Sequence, residues 1–317
     1  MSVLPPAKRQ RTDDASRSSI WYSDGSVVLQ AEDTQFRVHW SLLAQHSSFF
    51  RDMQALPQPP GQPSVEGCPI VELYDSAKDV AHLLTVLYNP DFAYQKAVPF
   101  EVVAALIRLG RKYEFRGLLD SAVERVTCEH PTTLEEYDAL HGEDCLGPYH
   151  FKSVVDYLGI EFDVLALVRE NNIMTALPCA YHRILKYPHK QLFEGIDTGD
   201  ALVTLSPLDQ KLCSLGREKI IAAQMLPGFT LGWLCKWGHN SDCLHPAKCY
   251  KMREKALQLC FMEVNVRILN PTPFAFTSMC MPCTRHIQEL VSAGRKKAWE
   301  QLPTFFDLPS WEELKND

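Results

Sequence analysis

The sequence lacks the features that would place it in a membrane or outside the cell. No uninterrupted apolar run approaches the ~20 residues of a membrane-spanning helix, and the longest pieces resemble Val102–Ile107. The N-terminus has no apolar core of signal-peptide length, because Pro5 and Pro6 interrupt its only apolar start. We therefore expect a soluble intracellular protein, resident in the nucleus, the cytoplasm or both, with no membrane partner.

An excess of positive charge is also missing. The 317 residues include 32 Lys and Arg against 39 Asp and Glu, which gives a formal net charge of −7. Direct binding of nucleic acid needs clustered positive charge, so the composition argues against a general nucleic-acid coat, and we expect no direct nucleic-acid partner. The sequence shows no glycine-rich phosphate loop and no carboxylate pair in an acid–base arrangement. We accordingly expect a protein that is not an enzyme.

The sequence does contain enough apolar residues for a hydrophobic core, and its cysteines are unevenly distributed. The apolar fraction is 46%, and the length suggests two domains. Six of the eleven cysteines fall between Cys235 and Cys283. An odd number, bunched in a chain without an export signal, indicates free thiols or a metal site and not a disulfide framework.

The first residues are predicted to form a disordered basic tail, residues 1–19. Lys8, Arg9 and Arg11 lie in a segment rich in Ser, Asp and Arg, and this exposed cluster fits the short nuclear-import pattern. An ordinary solvated tail is the alternative interpretation, since short basic clusters arise often by chance.

The next hundred residues predict an α+β module. Ser26–Ala31 and the alternating Gln35–Trp40 indicate a β-hairpin, and Ile70–Tyr74 indicates a third strand. Apolar spacing predicts helices after Ser41, Asp75 or Ser76, and Pro99, with a further helix around Leu118–Val126.

This module resembles a BTB/POZ domain. The resemblance is carried by Asp24–Leu29, by Phe36–Met53 and by Ala105–Leu118. The second stretch is the most specific, and the signature residues in it, structural or at an interface, are Phe36, His39, Leu43, Phe49 and Phe50. Trp40 stands where many members have Lys or Arg, which puts in doubt a polar dimer-interface pocket that uses this cation.

The resemblance implies a short three-stranded sheet with helical hairpins over residues 20–130, and a function in protein binding. Homodimerisation through the BTB domain and docking of a partner are both implied. One implied role is a substrate adaptor of a cullin-3 ubiquitin ligase, and the alternative is a nuclear transcriptional cofactor. No kelch or MATH repeat follows, and no fingers with paired cysteines and histidines are present.

Residues 131–317 predict a mainly α domain. Helical spacing is seen in Phe162–Val168, in Tyr181–Leu185 and from Ser206 towards Ala223. The apolar C-terminal residues, among them Trp299, are expected to pack on this domain or to form a partner groove. The ending resembles that of many uncharacterised fungal BTB proteins, and its residues are the Cys280-x2-Cys283 pair, Gly294-Arg295 and the Trp299–Trp311 segment.

The late cysteines predict a structural zinc site. A Cys-x2-Cys pair places two thiolates on one tight turn, where both reach a single tetrahedral metal. We expect four ligands from the set Cys235, Cys243, Cys249, Cys280 and Cys283, with His239, His245 and His286 as alternatives. Cys260 is expected on the packed face of a helix, outside the site. The competing interpretation is a set of buried free thiols.

An enzyme remains the alternative from another class. Cys283 and His286 lie about one helical turn apart, and a metal site with an open position would activate water, so a zinc- or thiol-dependent hydrolase is conceivable in this half. No third group that would orient the histidine is evident. We therefore favour a protein-binding function.

Overall fold

The computed structural model describes residues 15–57, 61–89, 94–141, 149–199, 201–236, 241–262, 264–272 and 279–316. The chain divides into two compact units. We call Met1–Arg125 with Ser153–Val155 the N-terminal unit, and Val126–Lys152 with Asp156–Asp317 the C-terminal unit. The basic residues Lys8, Arg9 and Arg11 lie outside the described residues.

The N-terminal unit is built on a five-stranded sheet in the order β1-β3-β2-β5-β4. Its strands are β1 (Ser16–Trp21), β2 (Val27–Ala31), β3 (Thr34–Val38), β4 (Ser64–Val65) and β5 (Cys68–Leu73). The predicted hairpin is present: β2 and β3 pair antiparallel, with Ala31 opposite Thr34. The predicted third strand is β5, which runs parallel to β2 with Val28 beside Ile70.

The two edge strands, β1 and β4, correct the sequence prediction. The predicted disordered tail is wrong for its last four residues, because Ser16–Trp21 pairs in parallel with β3. The Ser16 amide donates to the Asp33 carbonyl at 2.8 Å, and Arg17 forms an ion pair with Glu66 at 2.6 Å. Backbone pairing with β3, and not apolar burial, therefore holds this polar strand. Because β1 has no alternation of apolar and polar residues, the sequence pattern did not predict it.

Five helices complete the description of this part of the chain. They are α1 (Trp40–His46), α2 (Ser48–Ala55), α3 (Ala77–Tyr88), α4 (Phe100–Lys112) and α5 (Arg116–Thr127), whose last two residues belong to the C-terminal unit. Ser76 caps α3 by accepting from the Lys78 amide at 3.2 Å. The core lies between sheet and helices, where Val28, Leu84 and Ile107 are fully buried.

The C-terminal unit is mostly helical, as predicted. Its described helices are α6 (Leu134–His141), α7 (Ile160–Glu170), the 3-10 turn Met174–Ala176, α8 (Leu177–Ile184), α9 (His189–Glu194), α10 (Pro207–Gln224), α11 (Gly232–Cys235), α12 (Pro246–Met262), α13 (Met281–Glu300) and α14 (Leu302–Phe305). A small antiparallel pair, β6 (Ile196–Asp197) and β7 (Leu202–Val203), is the exception. None of the helices in the described ranges is long and apolar enough to cross a membrane.

The apolar C-terminal residues pack on this unit. Phe306 is buried and stacks on Tyr181 with ring centroids 4.9 Å apart. Trp299 stacks on Trp311 at 5.4 Å, and its indole N–H donates to the Thr132 carbonyl at 3.0 Å. These contacts make the ending part of the folded unit.

Gly294, on α13, tests how tightly the C-terminal unit is packed. A Cβ at this position would lie 2.5 Å from backbone atoms of Phe229 and Thr230. We expect Gly294→Ala to lower the free energy of unfolding by about 1–3 kcal/mol, because backbone must move to admit the methyl group. Denaturant unfolding measures this change. In the matched control Gly117→Ala, on α5, the new Cβ meets nothing within 4 Å. That variant should be unchanged or more stable, and equal losses in both would contradict the close approach.

Candidate functional site

Four of the five predicted cysteine ligands lie together in the C-terminal unit. The Sγ atoms of Cys243, Cys249, Cys280 and Cys283 are all within 4.8 Å of one another. We call this group the four-cysteine cluster. Cys249, Cys280 and Cys283 are buried and Cys243 is partly buried. A group of four thiols at this separation can hold a metal ion.

Two helix starts and one loop position these thiols. Cys249 lies in the first turn of α12, Cys280 directly precedes α13, and Cys283 lies in its first turn. Cys243 comes from the segment before α12, and its Sγ is 3.7 Å from that of Cys280. The Cys280 amide donates to the Cys249 sulfur at 3.4 Å. A backbone amide at the start of α13 thus already donates to a sulfur at the start of α12.

The electrostatics of the cluster separate its thiols. Burial opposes ionisation of Cys280, yet the backbone amides of Cys283 and Leu244 and the neighbouring thiols lower its pKa to about 6. Burial raises the pKa of Cys249 and that of Cys283. Backbone N–H donors that stabilise a thiolate are the outer-shell contacts typical of metal-bound cysteine.

The remaining ligand candidates do not join this cluster in the described part of the chain. Cys235 is exposed at the end of α11. His245 and His286 are not among the grouped side chains, and His239 lies outside the described residues. Cys260 packs beside the core around Leu231, as predicted from its helical spacing.

In the N-terminal unit, four of the five signature residues stabilise the fold, three of them in the core and His39 at a partly exposed position. Phe36, Leu43 and Phe50 are buried. His39 precedes α1, and its amide donates to the Tyr88 hydroxyl at 2.9 Å while its ring lies 3.2 Å from Asp24. Trp40, the departure from the family pattern, is buried with its ring edge towards Phe50.

Ser47 divides the region after β3 into two helices where a single helix was predicted. Its extended backbone ends α1, and its hydroxyl caps α2 by accepting from the Phe50 amide at 3.0 Å. The same hydroxyl donates to the Tyr113 carbonyl at 2.5 Å. One buried serine therefore fixes α2 against the end of α4.

Tyr113 is the point at which α2, α4 and the end of β5 meet. Its ring contacts Phe49 and Phe50 at centroid distances of 5.2 and 5.4 Å. Its hydroxyl donates to Asp75 at 2.5 Å, and Lys112 forms an ion pair with the same carboxylate at 2.7 Å. Burial, followed by the hydrogen bond and the charge of Asp75, raises the pKa of Tyr113, so the phenol stays protonated.

Apolar side chains remain exposed beside this junction. Phe49 and Met53 lie on one face of α2, and Leu56 directly follows this helix. Phe49 keeps 36% and Leu56 64% of its surface exposed, whereas Met53 is half-buried. Tyr74, next to Asp75, is 80% exposed. We call Phe49, Met53, Leu56 and Tyr74 the Phe49 surface. A cluster of exposed apolar side chains with charged neighbours is typical of a protein interface.

The comparison with protein families assigns this part of the chain. A family model, described as BTB/POZ domain, matches residues 15–129. Residues 15–129 form a BTB/POZ domain. Such a domain is a protein–protein interaction module, which agrees with the predicted class of function. A search of curated proteins found no match to the chain.

Three of the four residues of the Phe49 surface, Met53, Leu56 and Tyr74, were missed from the sequence. The spacing of Phe49, Met53 and Leu56 was available as a helical stripe, but it was hidden by assigning one longer helix through Ser47. Tyr74 lies just past the apolar residues of β5, where the period of two does not tell an exposed aromatic from a buried one. Of the residues on this exposed face, the BTB resemblance pointed only to Phe49.

Ser47 and Ser48 give a matched pair of variants for the BTB domain. Ser47→Ala removes a helix cap and leaves the Tyr113 carbonyl buried without its donor, so we expect a loss of about 2 kcal/mol in the free energy of unfolding. Ser48 is half-buried, and its hydroxyl donates to the exposed carboxylate of Glu114. Ser48→Ala should therefore change stability by less than about 0.5 kcal/mol. Urea unfolding of both variants decides, and similar losses would contradict the role given to Ser47.

Proposed function

We propose that the protein is a non-enzymatic adaptor whose BTB domain docks cullin-3 through the Phe49 surface. In this proposal the C-terminal unit recruits the target for ubiquitination, and both partners are proteins. The BTB family match supports protein binding. The observation that carries the choice of surface is the exposure of Phe49, Leu56 and Tyr74, because Tyr74 precedes Asp75, which is bonded to the Tyr113 that contacts Phe49.

The composition of the Phe49 surface supports docking of a folded partner. Its apolar residues are surrounded by Arg51, Asp52 and Glu114, all of them exposed. Interfaces commonly combine an apolar centre with a polar rim, and aromatic residues carry much of the binding energy at the centre. The packing of Tyr113 against Phe49 fixes this centre before a partner arrives, which lowers the entropic cost of association.

The proposal is tested by measuring the affinity of the complete chain for the purified N-terminal region of cullin-3. Tyr74→Asp places a charge on the surface and removes an 80% exposed ring with no part in the core. We expect at least about tenfold weaker binding, because a desolvated aromatic anchor contributes 2 kcal/mol or more.

Tyr94→Asp is the matched control, because Tyr94 is an 87% exposed tyrosine of the same unit and is not in the Phe49 surface. Its affinity should stay within about twofold of the wild type. Absence of cullin-3 binding by the wild type, or equal losses in both variants, would contradict the proposal. Light scattering in the same samples reports the predicted homodimer. A dimer that does not bind cullin-3 would favour the alternative role of a nuclear transcriptional cofactor.

We further propose that the four-cysteine cluster holds a structural zinc ion. Four thiolates at about 2.3 Å from a tetrahedral zinc lie about 3.8 Å apart, and the Cys243 and Cys280 sulfurs are already 3.7 Å apart. The cluster is mostly buried, and backbone amides stabilise negative charge on Cys280. A zinc ion here would join the starts of α12 and α13.

The zinc proposal predicts one zinc ion per chain in protein purified without chelator, measured by elemental analysis. Cys249→Ser removes a buried ligand and should leave well under one zinc per chain, with a lower Tm. The control Cys235→Ser changes an exposed thiol outside the cluster and should retain the full content. Wild-type protein with far less than one zinc per chain would end the proposal.

The alternatives have less support. Four thiolates would complete tetrahedral coordination, so no position would remain for the activated water that a zinc hydrolase needs. His286, the partner required by a thiol hydrolase, follows Cys283 on α13, and Cys283 would be occupied as a ligand. Nuclear residence rests on Lys8, Arg9 and Arg11, outside the described residues, so it stays a prediction from sequence.

A further inference from the structure

The C-terminal unit contains a cavity that neither the BTB domain nor the four-cysteine cluster uses. Its volume is about 280 Å³. Side chains of α6 and α8, Tyr149 and the segment 265–270 form its walls. The lining residues that matter here are Tyr137, His141, Tyr149, His182, Arg183 and Asn270. The walls are thus aromatic and cationic at once.

Arg183, on α8, is the unusual member of this wall. It is only 5% exposed, and its guanidinium carbon lies 3.4 Å from the centre of the Tyr149 ring. Its three side-chain nitrogens are buried, and none has a partner at hydrogen-bonding distance and angle among the described residues. The guanidinium does lie close enough to the Tyr149 hydroxyl to act against the rise in the pKa of that phenol. The ring face satisfies part of the charge by a cation–π contact but accepts no hydrogen bond.

Other arginines of this unit show what is missing at Arg183. Arg295 is equally buried and pairs with the Asp138 carboxylate, and its Nε donates to the Leu269 carbonyl at 2.8 Å. Arg169 pairs with Asp209 at 2.6 Å. An ionised group buried without a counter-charge is destabilising by several kcal/mol, so such groups are normally paired.

Glu129 is linked to Arg183 through Tyr149, and its carboxylate already has other hydrogen-bond partners. The Tyr149 hydroxyl donates to Glu129, whose other oxygen accepts from the Lys152 amide at 2.8 Å. Lys186, also in the cavity wall, pairs with Glu161. No ion pair joins Arg183 to either acid among the described residues.

The histidines of the cavity stay neutral. Burial, then His141 and Arg183, lower the pKa of His182 to about 3. The Nδ1 atom of His182 is buried and also lacks a hydrogen-bond partner among the described residues. The wall thus offers the buried Arg183 guanidinium together with an imidazole nitrogen that has no partner among the described residues.

We propose that this cavity binds a small phosphate-bearing molecule whose phosphate lies beside Arg183. A guanidinium donates in pairs to phosphate oxygens, which supplies the charge and the hydrogen bonds that Arg183 lacks. The Tyr137 and Tyr149 rings bound the space for the rest of the ligand, and the cavity volume suits a molecule of modest size. This inference is independent of cullin-3 and of zinc.

The test uses inorganic phosphate as the probe and the complete chain, with calorimetric titration and thermal unfolding at constant ionic strength set with sodium chloride. We expect saturable binding and a rise in Tm with phosphate. Arg183→Met keeps most of the side-chain volume and removes the charge, so phosphate should bind at least about tenfold more weakly. This variant should be as stable as the wild type in phosphate-free buffer, because an unpaired buried charge is gone.

Lys190→Met is the control, since it removes an exposed cation of the same unit whose partner Glu194 lies 3.7 Å away at the surface. Its response to phosphate should match the wild type. No saturable binding to the wild type would overturn the inference, and so would equal affinity in Arg183→Met. If Arg183→Met is less stable than the wild type, its affinity for phosphate is measured at a temperature below its Tm. An affinity equal to that of the wild type would likewise overturn the inference.

Discussion

The packing of Tyr113 on α2 is the contact on which the proposed binding face depends. Its carbonyl accepts from Ser47, its ring lies against Phe49 and Phe50, and its hydroxyl donates to Asp75. Three segments distant in sequence are held by one residue. Because the ring cluster is buried on one side, Phe49 is held at a fixed position on the other, where a partner can use it without ordering it first.

The C-terminal unit is held by a different kind of contact at each end. At the C-terminal end, Phe306 stacks on Tyr181 and Trp311 stacks on Trp299. The starts of α12 and α13 carry the four-cysteine cluster, where few apolar side chains are available. A metal there would supply the stabilisation that a small core cannot. The cavity at Arg183 lies among elements of the same unit and gives it a separate chemistry.

The sequence predicted features that have a clear local period. The β2–β3 hairpin followed from alternation, α3 and α4 from apolar spacing, and the cysteine group from the Cys280-x2-Cys283 pair. The sequence could not separate Cys235 from the four cysteines of the cluster, because spacing alone does not say which thiols the fold brings close. The polar strand β1 was missed because it depends on backbone pairing with a distant strand. The charge imbalance at Arg183 is visible only once its surroundings are known.

Hydrogen–deuterium exchange of the complete chain, with and without the cullin-3 N-terminal region, tests the central claim most directly. The account predicts slower amide exchange over α2 and around Tyr74 in the complex, with the segment around Tyr94 unchanged. Binding that protects the segment around Tyr94, or the C-terminal unit, while α2 exchanges as in the free protein would contradict the assignment of the Phe49 surface.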